Sequence, residues 1–261
     1  MLSKIKAGIE AVGNKTIGVI EELGQMIIML VEAVIWAFRP PYRFRIWFQS
    51  LESVGVGSLP IVLLTGVFAG LVLAYQSHYA FKLFNAQTLV GGTVAVSVVR
   101  ELGPVLAGLM VAGRTGSSMT TELGTMRVTE QIDAMAVMAV NPIQYLVTPR
   151  VFATIIMLPV LTMLFNLVAI VASYLLSVYV LGVDPGIFID KIRQFVLPVD
   201  LLKSMVKAAA FGMVIALVGC YKGFYASGGA KGVGEATTSS VVTSSVMILL
   251  IDYILTVIMW D

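Results

Sequence analysis

Five stretches of this sequence, residues 54–75, 89–112, 151–181, 201–221 and 238–260, are long and apolar enough to cross a hydrocarbon core of about 30 Å as helices rising about 1.5 Å per residue. An all-α membrane protein is therefore the expected fold. Composition agrees: hydrophobic residues make up 58% of the chain and charged residues 12%, with a mean hydropathy of +0.94. At 261 residues the spans and their connections are expected to use the whole chain, with no separate soluble domain. The fourth stretch carries Lys203 and Lys207, but both lie in its first third, where a lysine stem can reach back to the interface.

Net charge is +2, from 17 Lys+Arg against 15 Asp+Glu, too balanced to suggest a nucleic-acid partner, so the basic residues matter by position. An N-terminus in the cytoplasm puts Lys4, Lys6, Lys15, Arg39, Arg43, Arg45, Arg114, Arg127, Arg150, Lys222 and Lys231 inside. It leaves Lys82, Lys191 and Arg193 outside, the asymmetry that multi-pass proteins show, and five spans then place Asp261 outside. One cysteine, Cys220, makes no internal disulfide, and one histidine, His78, builds no His/Cys metal site, so neither metal nor redox chemistry is expected.

The first 45 residues differ from the rest. Ile5, Ile9, Val12, Ile20, Leu23, Ile27, Leu30, Val34 and Phe38 recur at helical spacing with lysines and glutamates between them, which predicts an amphipathic helix along a membrane surface. A cleaved signal peptide fits less well, because the apolar part comes late and no small-residue cleavage site follows. Pro40 and Pro41 stop that helix, and the arginines and aromatics of residues 39–49 supply an interfacial anchor.

Two internal loops carry further signals. Residues 120–150 are too polar to span; within them 128–140 reads as one short helix with Ile132, Met135, Ala136 and Ala139 on one side, ended by Asn141-Pro142. Such a face either docks in a partner's groove or packs against its own bundle. Residues 225–240 are glycine-rich but lack the Gly-Lys-Ser/Thr of a phosphate-binding loop and read as a turn into the fifth span, with Thr237 or Thr238 near its start. Any nucleotide-driven cycle must then draw on another polypeptide.

Four segments carry a family resemblance: VRELGPVLAGLMVAGRTGS at 99–117, TELGTMRVTEQIDAM at 121–135, AVNPIQYLVTPR at 139–150 and GVGEATTSSVVTSS at 232–245. In this order they resemble the MlaE/YrbE-type permeases, the membrane subunits of ABC transporters that move phospholipids or other lipids across the bacterial cell envelope, and the likeness covers nearly the whole chain. The resemblance implies one permease domain over 1–261, with an interfacial helix and anchor at 1–45, five transmembrane helices, and a cytoplasmic coupling segment at 120–147. It also implies a homodimer in the inner membrane with the lipid between the two copies, cytoplasmic ABC ATPase subunits that use the ATP, a periplasmic MCE-domain hexamer, and in some systems a STAS-domain accessory subunit. No catalytic residue and no cofactor is expected in this chain. The coupling segment departs from the Glu-Ala-Ala motif with following glycine seen in many ABC importers. Within it, Arg127, Glu130 and Asp133 give the short helix a polar edge and are the candidates for contact with the ATPase.

Charged residues inside the spans are the remaining candidates. Arg100 and Glu101 lie about 10 to 18 Å from the outer end of the second span, Lys207 roughly 9 Å into the fourth and Asp252 roughly 12 Å from the outer end of the fifth. Isolated at that depth, each would cost about 2.5 to 3.5 kcal/mol, so they should face the bundle and pair with one another or with a ligand. Lys207 and Asp252 are the preferred ion pair. Arg100 and Glu101, about 100° apart on a helix, should face different partners, Arg100 towards a lipid phosphate and Glu101 towards the bundle or a gate. A purely internal charge network that locks helix register is the competing reading. Leu73, Tyr75, Gln76, Phe81 and Phe84, near the outer end of the first span, are candidates for an acyl-chain pocket or, alternatively, for an interfacial belt.

Two other functions fit the residues less well. A serine hydrolase built on Ser117 or Ser118 with His78 would need groups from opposite ends of the spans to meet. An ion-coupled secondary carrier would use buried charges, but no internal repeat accompanies the five spans.

Overall fold

The computed structural model describes residues 2–40 and 43–260, with side chains from residue 13 onwards except those of 14, 15, 19 and 260. Asp261 and the charges and apolar positions expected at residues 4–12 and 15 therefore lie outside the described groups. The described residues form helices and no strand: α1 (Leu2–Ala37), α2 (Phe44–Lys82), α3 (Val90–Ser97), α4 (Gly103–Val111), α5 (Ser117–Val128), α6 (Gln131–Val137), α7 (Thr148–Tyr179), α8 (Pro185–Phe195), α9 (Pro198–Phe224) and α10 (Gly229–Trp260). Wider π-helical turns, Val98–Leu102 and Ala112–Gly116, join α3, α4 and α5 into one bent path. Five helical paths are long and apolar enough to cross a membrane: Phe44–Lys82, Gln87–Val128, Ile143–Tyr179, Pro198–Phe224 and Gly229–Met259. Short connections make them antiparallel, so one end of the bundle collects Arg39, Arg43, Arg45, Arg127, Arg150, Lys222 and Lys231. This is the basic end.

The span interiors match the expectation, but the helices run further. The second span does not stop near residue 112: its helix continues as α5, breaks at Glu130 in the left-handed region (φ 59°), and resumes as the separate α6. Polarity ends a span without ending a helix. Thr120, Thr121 and Thr125 return their hydroxyls to carbonyls one turn back at 2.7–2.9 Å, and α5 packs against α9 and α10. At the start of α10, the turn expected over 225–240 is confined to 225–228, and Thr237 and Thr238 lie well inside the helix. The Thr121 and Thr237 hydroxyls, 2.9 Å apart, join the two extensions. At the opposite end α8, which the hydropathy reading leaves unassigned, is capped by the Asp184 carboxylate, which accepts from Ile187 N at 2.9 Å, and is docked by buried Phe188 against Gly91 and Tyr174.

Packing centres on α7 and α9. α2 lies along α7, where Gly70 brings the two backbones so close that a Cβ there would overlap Ala169. Val62, Leu158, Leu161, Phe165, Phe211 and Ile215 fill the space between. A second cluster at the basic end joins Met26, Met29 and Ala33 of α1 to Leu146, Val151, Val214 and Val218. This adds to the expected stripe on α1: the bundle takes Met26, Met29 and Ala33, while Ile20, Leu23, Ile27, Val34 and Phe38 of the stripe face outwards. α1 thus has two apolar faces, one for protein and one directed away from it. A Glu22–Lys222 ion pair and the Tyr221 hydroxyl, 2.6 Å from Gln25 Oε1, tie it to α9.

Candidate functional site

The residues of the charge network are positioned by three local features. α9 starts at Pro198, directly after Leu197, and Asp200 in its first turn accepts from Leu197 N at 3.0 Å. Seven residues on, about two turns, Lys207 lies on the same face. Arg100 and Glu101 occupy the π-helical turn Val98–Leu102, just before Gly103, whose backbone abuts the Asn166 side chain of α7. Asp252 and Thr256 are one turn apart on α10.

These features converge. The Arg100 guanidinium forks onto one carboxylate, with Nε 3.0 Å from Asp200 Oδ1 and Nη2 3.1 Å from Oδ2. The ammonium of Lys207, with no exposed surface, lies 2.7 Å from Glu101 Oε2, 2.7 Å from Asp252 Oδ1, 2.8 Å from Thr256 Oγ1 and 3.2 Å from the carbonyl of Arg100. Thr256 Oγ1 also sits 3.2 Å from both Glu101 oxygens and 2.8 Å from the Asp252 carbonyl. Arg100 and Glu101 thus turn to different groups, Asp200 and Lys207, both on one face of α9. Three carboxylates surround two cations. Burial is graded: Lys207 and Asp200 are enclosed, whereas the side chains of Arg100 and Glu101 are 32% and 38% exposed on this single chain.

Asp200 and Thr256 are absent from the residues expected from sequence. Asp200 stands one residue outside the fourth apolar stretch as hydropathy bounds it, yet its seven-residue spacing from Lys207 already places both on one helical face. Thr256 has the same kind of signal, four residues after Asp252.

The remaining candidates separate. Leu73 and Phe81 turn inwards against the buried core, while Tyr75, Gln76 and Phe84 face outwards, with the Tyr75 ring 4.9 Å from that of Tyr79. These five residues do not share one surface. At the basic end Arg127 Nη1 meets Asp133 Oδ1 at 2.5 Å across the α5–α6 break, and Glu130 is exposed at the break itself.

A bundle of five apolar spans with charges gathered inside it, and a short exposed helix hung from its basic end, is the build of a membrane-embedded permease. Residues 47–258 match the model of the family described as Permease MlaE, and the chain belongs to that family. It is 42% identical to a probable ABC transporter permease protein of Rickettsia bellii over 94% of this chain and 95% of that one. It is 36% identical to the intermembrane phospholipid transport system permease protein MlaE of Haemophilus influenzae over 97% of each. It is also 39% identical to the chloroplastic protein TRIGALACTOSYLDIACYLGLYCEROL 1 of Arabidopsis thaliana, over 89% of this chain and 64% of that one.

Proposed function

We propose that this chain is the membrane subunit of an ATP-driven phospholipid transporter of the bacterial inner membrane, and that two copies enclose the lipid path. The observation that carries this reading is the graded exposure of the charge network. Arg100 and Glu101 are each about a third exposed on one chain, within a path suited to the bilayer interior. Facing hydrocarbon, such charges would cost about 2.5 to 3.5 kcal/mol each, so a second copy, a polar cavity or a head group must cover them. Family membership and the phospholipid transport system of the Haemophilus relative make a phospholipid the fitting cargo.

In this reading Lys207, Asp252 and Asp200 hold the network rigid. Arg100 directs the exposed part of its guanidinium at the lipid phosphate, and Glu101 gates the cavity. Of the outer-end residues, the outward-facing Tyr75, Gln76 and Phe84 then take acyl chains only in the dimer, where a second copy supplies the missing walls, and Leu73 and Phe81 back them from the core side. The basic end is cytoplasmic, as is the N-terminus, and the C-terminus is periplasmic. ATPase subunits, which carry the ATP, press on α6 beside Arg127, Glu130 and Asp133. The MCE-domain hexamer sits at the opposite end, and a STAS-domain subunit joins the ATPase where the system has one.

The test is reconstitution with partner subunits and a labelled phospholipid. Arg100→Gln is expected to assemble and hydrolyse ATP while losing lipid transfer. Undiminished transfer would leave the network a purely structural lock, and transfer by the chain without any ATPase would favour an ion-coupled carrier.

A further inference from the structure

At the basic end, well away from the charge network, the end of α1, the start of α2 and the segment from α6 to α7 enclose a cavity of about 130 Å³. Its volume is that of about four waters at roughly 30 Å³ each, enough for a phosphate group and too small for acyl chains. Trp36, Arg39, Arg43, Trp47, Gln144 and Tyr145 are among its walls. The two arginines are held in a particular way. The Arg39 guanidinium lies 5.3 Å from the centre of the Trp36 ring and that of Arg43 lies 4.7 Å from the centre of the Tyr145 ring. A ring beneath a guanidinium attracts its charge without using the N–H fork that recognises a carboxylate or phosphate. No carboxylate among the described residues lies within ion-pairing distance of either one. Gln144 Nε2 donates to the Arg39 carbonyl at 2.8 Å, which fastens the wall from the α6–α7 segment to the wall from α1.

We infer that this cavity is a binding site for the head group of an anionic phospholipid in the leaflet at the basic end, separate from the lipid path. Two guanidiniums lining one small cavity suit the paired non-bridging oxygens of a phosphodiester. Three aromatic rings with polar edges are the side chains that settle at head-group depth, and basic pockets between spans are suited to acidic lipids. The bound lipid bridges α1, α2 and the segment that follows α6. It clamps the short helix to the bundle, so the basic end is fully ordered only in a membrane that contains acidic lipid.

Trp36 and Trp47 report on the site directly. The full chain, reconstituted in phosphatidylcholine vesicles, is titrated with phosphatidylglycerol carrying brominated acyl chains, and tryptophan quenching is followed. Quenching is expected to saturate at a low mole fraction of the acidic lipid, whereas brominated phosphatidylcholine quenches only in proportion to its amount. Equal quenching by the two lipids overturns the inference without any variant. Arg39→Gln with Arg43→Gln is expected to raise the half-saturating fraction about tenfold, the loss of charge-assisted hydrogen bonds, with Lys222→Gln at the same end leaving it unchanged. Arg39→Lys with Arg43→Lys keeps the charge without the planar fork and is expected to fall between. Unchanged saturation in the glutamine pair overturns the site. Displacement by millimolar inorganic phosphate assigns the cavity to a soluble anion and overturns the lipid, and loss of the saturable quenching in Arg100→Gln moves the bound lipid to the central network and overturns the separate site.

Discussion

α9 and α10 are neighbours of similar apolarity, yet half of the most apolar window of α9 is buried within the chain and only 11% of that of α10. α9 is the pillar: it meets α5, α7 and α10 and carries both Asp200 and Lys207. α10 touches the bundle along one narrow face through Ser240, Ser244 and Ile248, and leaves Val242, Val246, Leu249 and Tyr253 outwards. Hydropathy rates the two helices alike because a methyl group is equally apolar against lipid, a second copy or its own core. Without a hydrophobic drive between helices in lipid, close packing and polar contacts decide which helix is central.

The comparison breaks most readily at Lys207. Lys207→Met leaves Glu101 and Asp252 facing each other without their shared cation and is expected to cost about 3 to 5 kcal/mol, read as a large drop in the thermal midpoint of the purified chain. Asp252→Asn, on α10, is expected to cost clearly less, since the ammonium keeps Glu101, Thr256 and the Arg100 carbonyl. Equal costs would mean that α9 is not the centre of the network. The next largest effect is expected from Gly212→Val, because a Cβ there would lie 2.6 Å from the Thr154 carbonyl and force α9 from α7, at about 1 to 3 kcal/mol. Val246→Leu on the outward face of α10 should stay within about 0.5 kcal/mol in the same melt, and a drop as large as that of Gly212→Val would show this face to be packed.

A small effect on stability is also expected at the α5–α6 break. The Arg127–Asp133 pair is exposed, so Asp133→Asn should cost about 0.2 to 1 kcal/mol in the melt. Asp133→Lys, in the complete transporter, is expected to uncouple ATP hydrolysis from lipid transfer at unchanged fold. Normal coupling in that variant would remove α6 from the ATPase contact.

Much of this was legible beforehand. The five spans, the all-helical class and the family all follow from runs of apolar residues and from four motifs, since the bilayer acts on each stretch of about 20 residues independently. The extensions of α5 and α10 were not legible, because threonines that lower hydropathy also return their hydroxyls to the helix and pack against a neighbour. α8 escaped notice for a related reason: a helix of 11 residues is too short for a span signal and owes its place to Phe188.

At the charge network the division is sharper. Sequence alone determined that Arg100, Glu101, Lys207 and Asp252 stand at similar depth, because depth is a count of residues along a helix. It also pointed to the Lys207–Asp252 pair, which the structure forms, but not to the fork of Arg100 onto Asp200, the second bond of Lys207 to Glu101, or the partial exposure of Arg100 and Glu101. Those depend on how each helix is rotated about its own axis. Rotation is decided by contacts between helices, such as Gly103 against Asn166 and Gly212 against Thr154, which exist only once the bundle has closed.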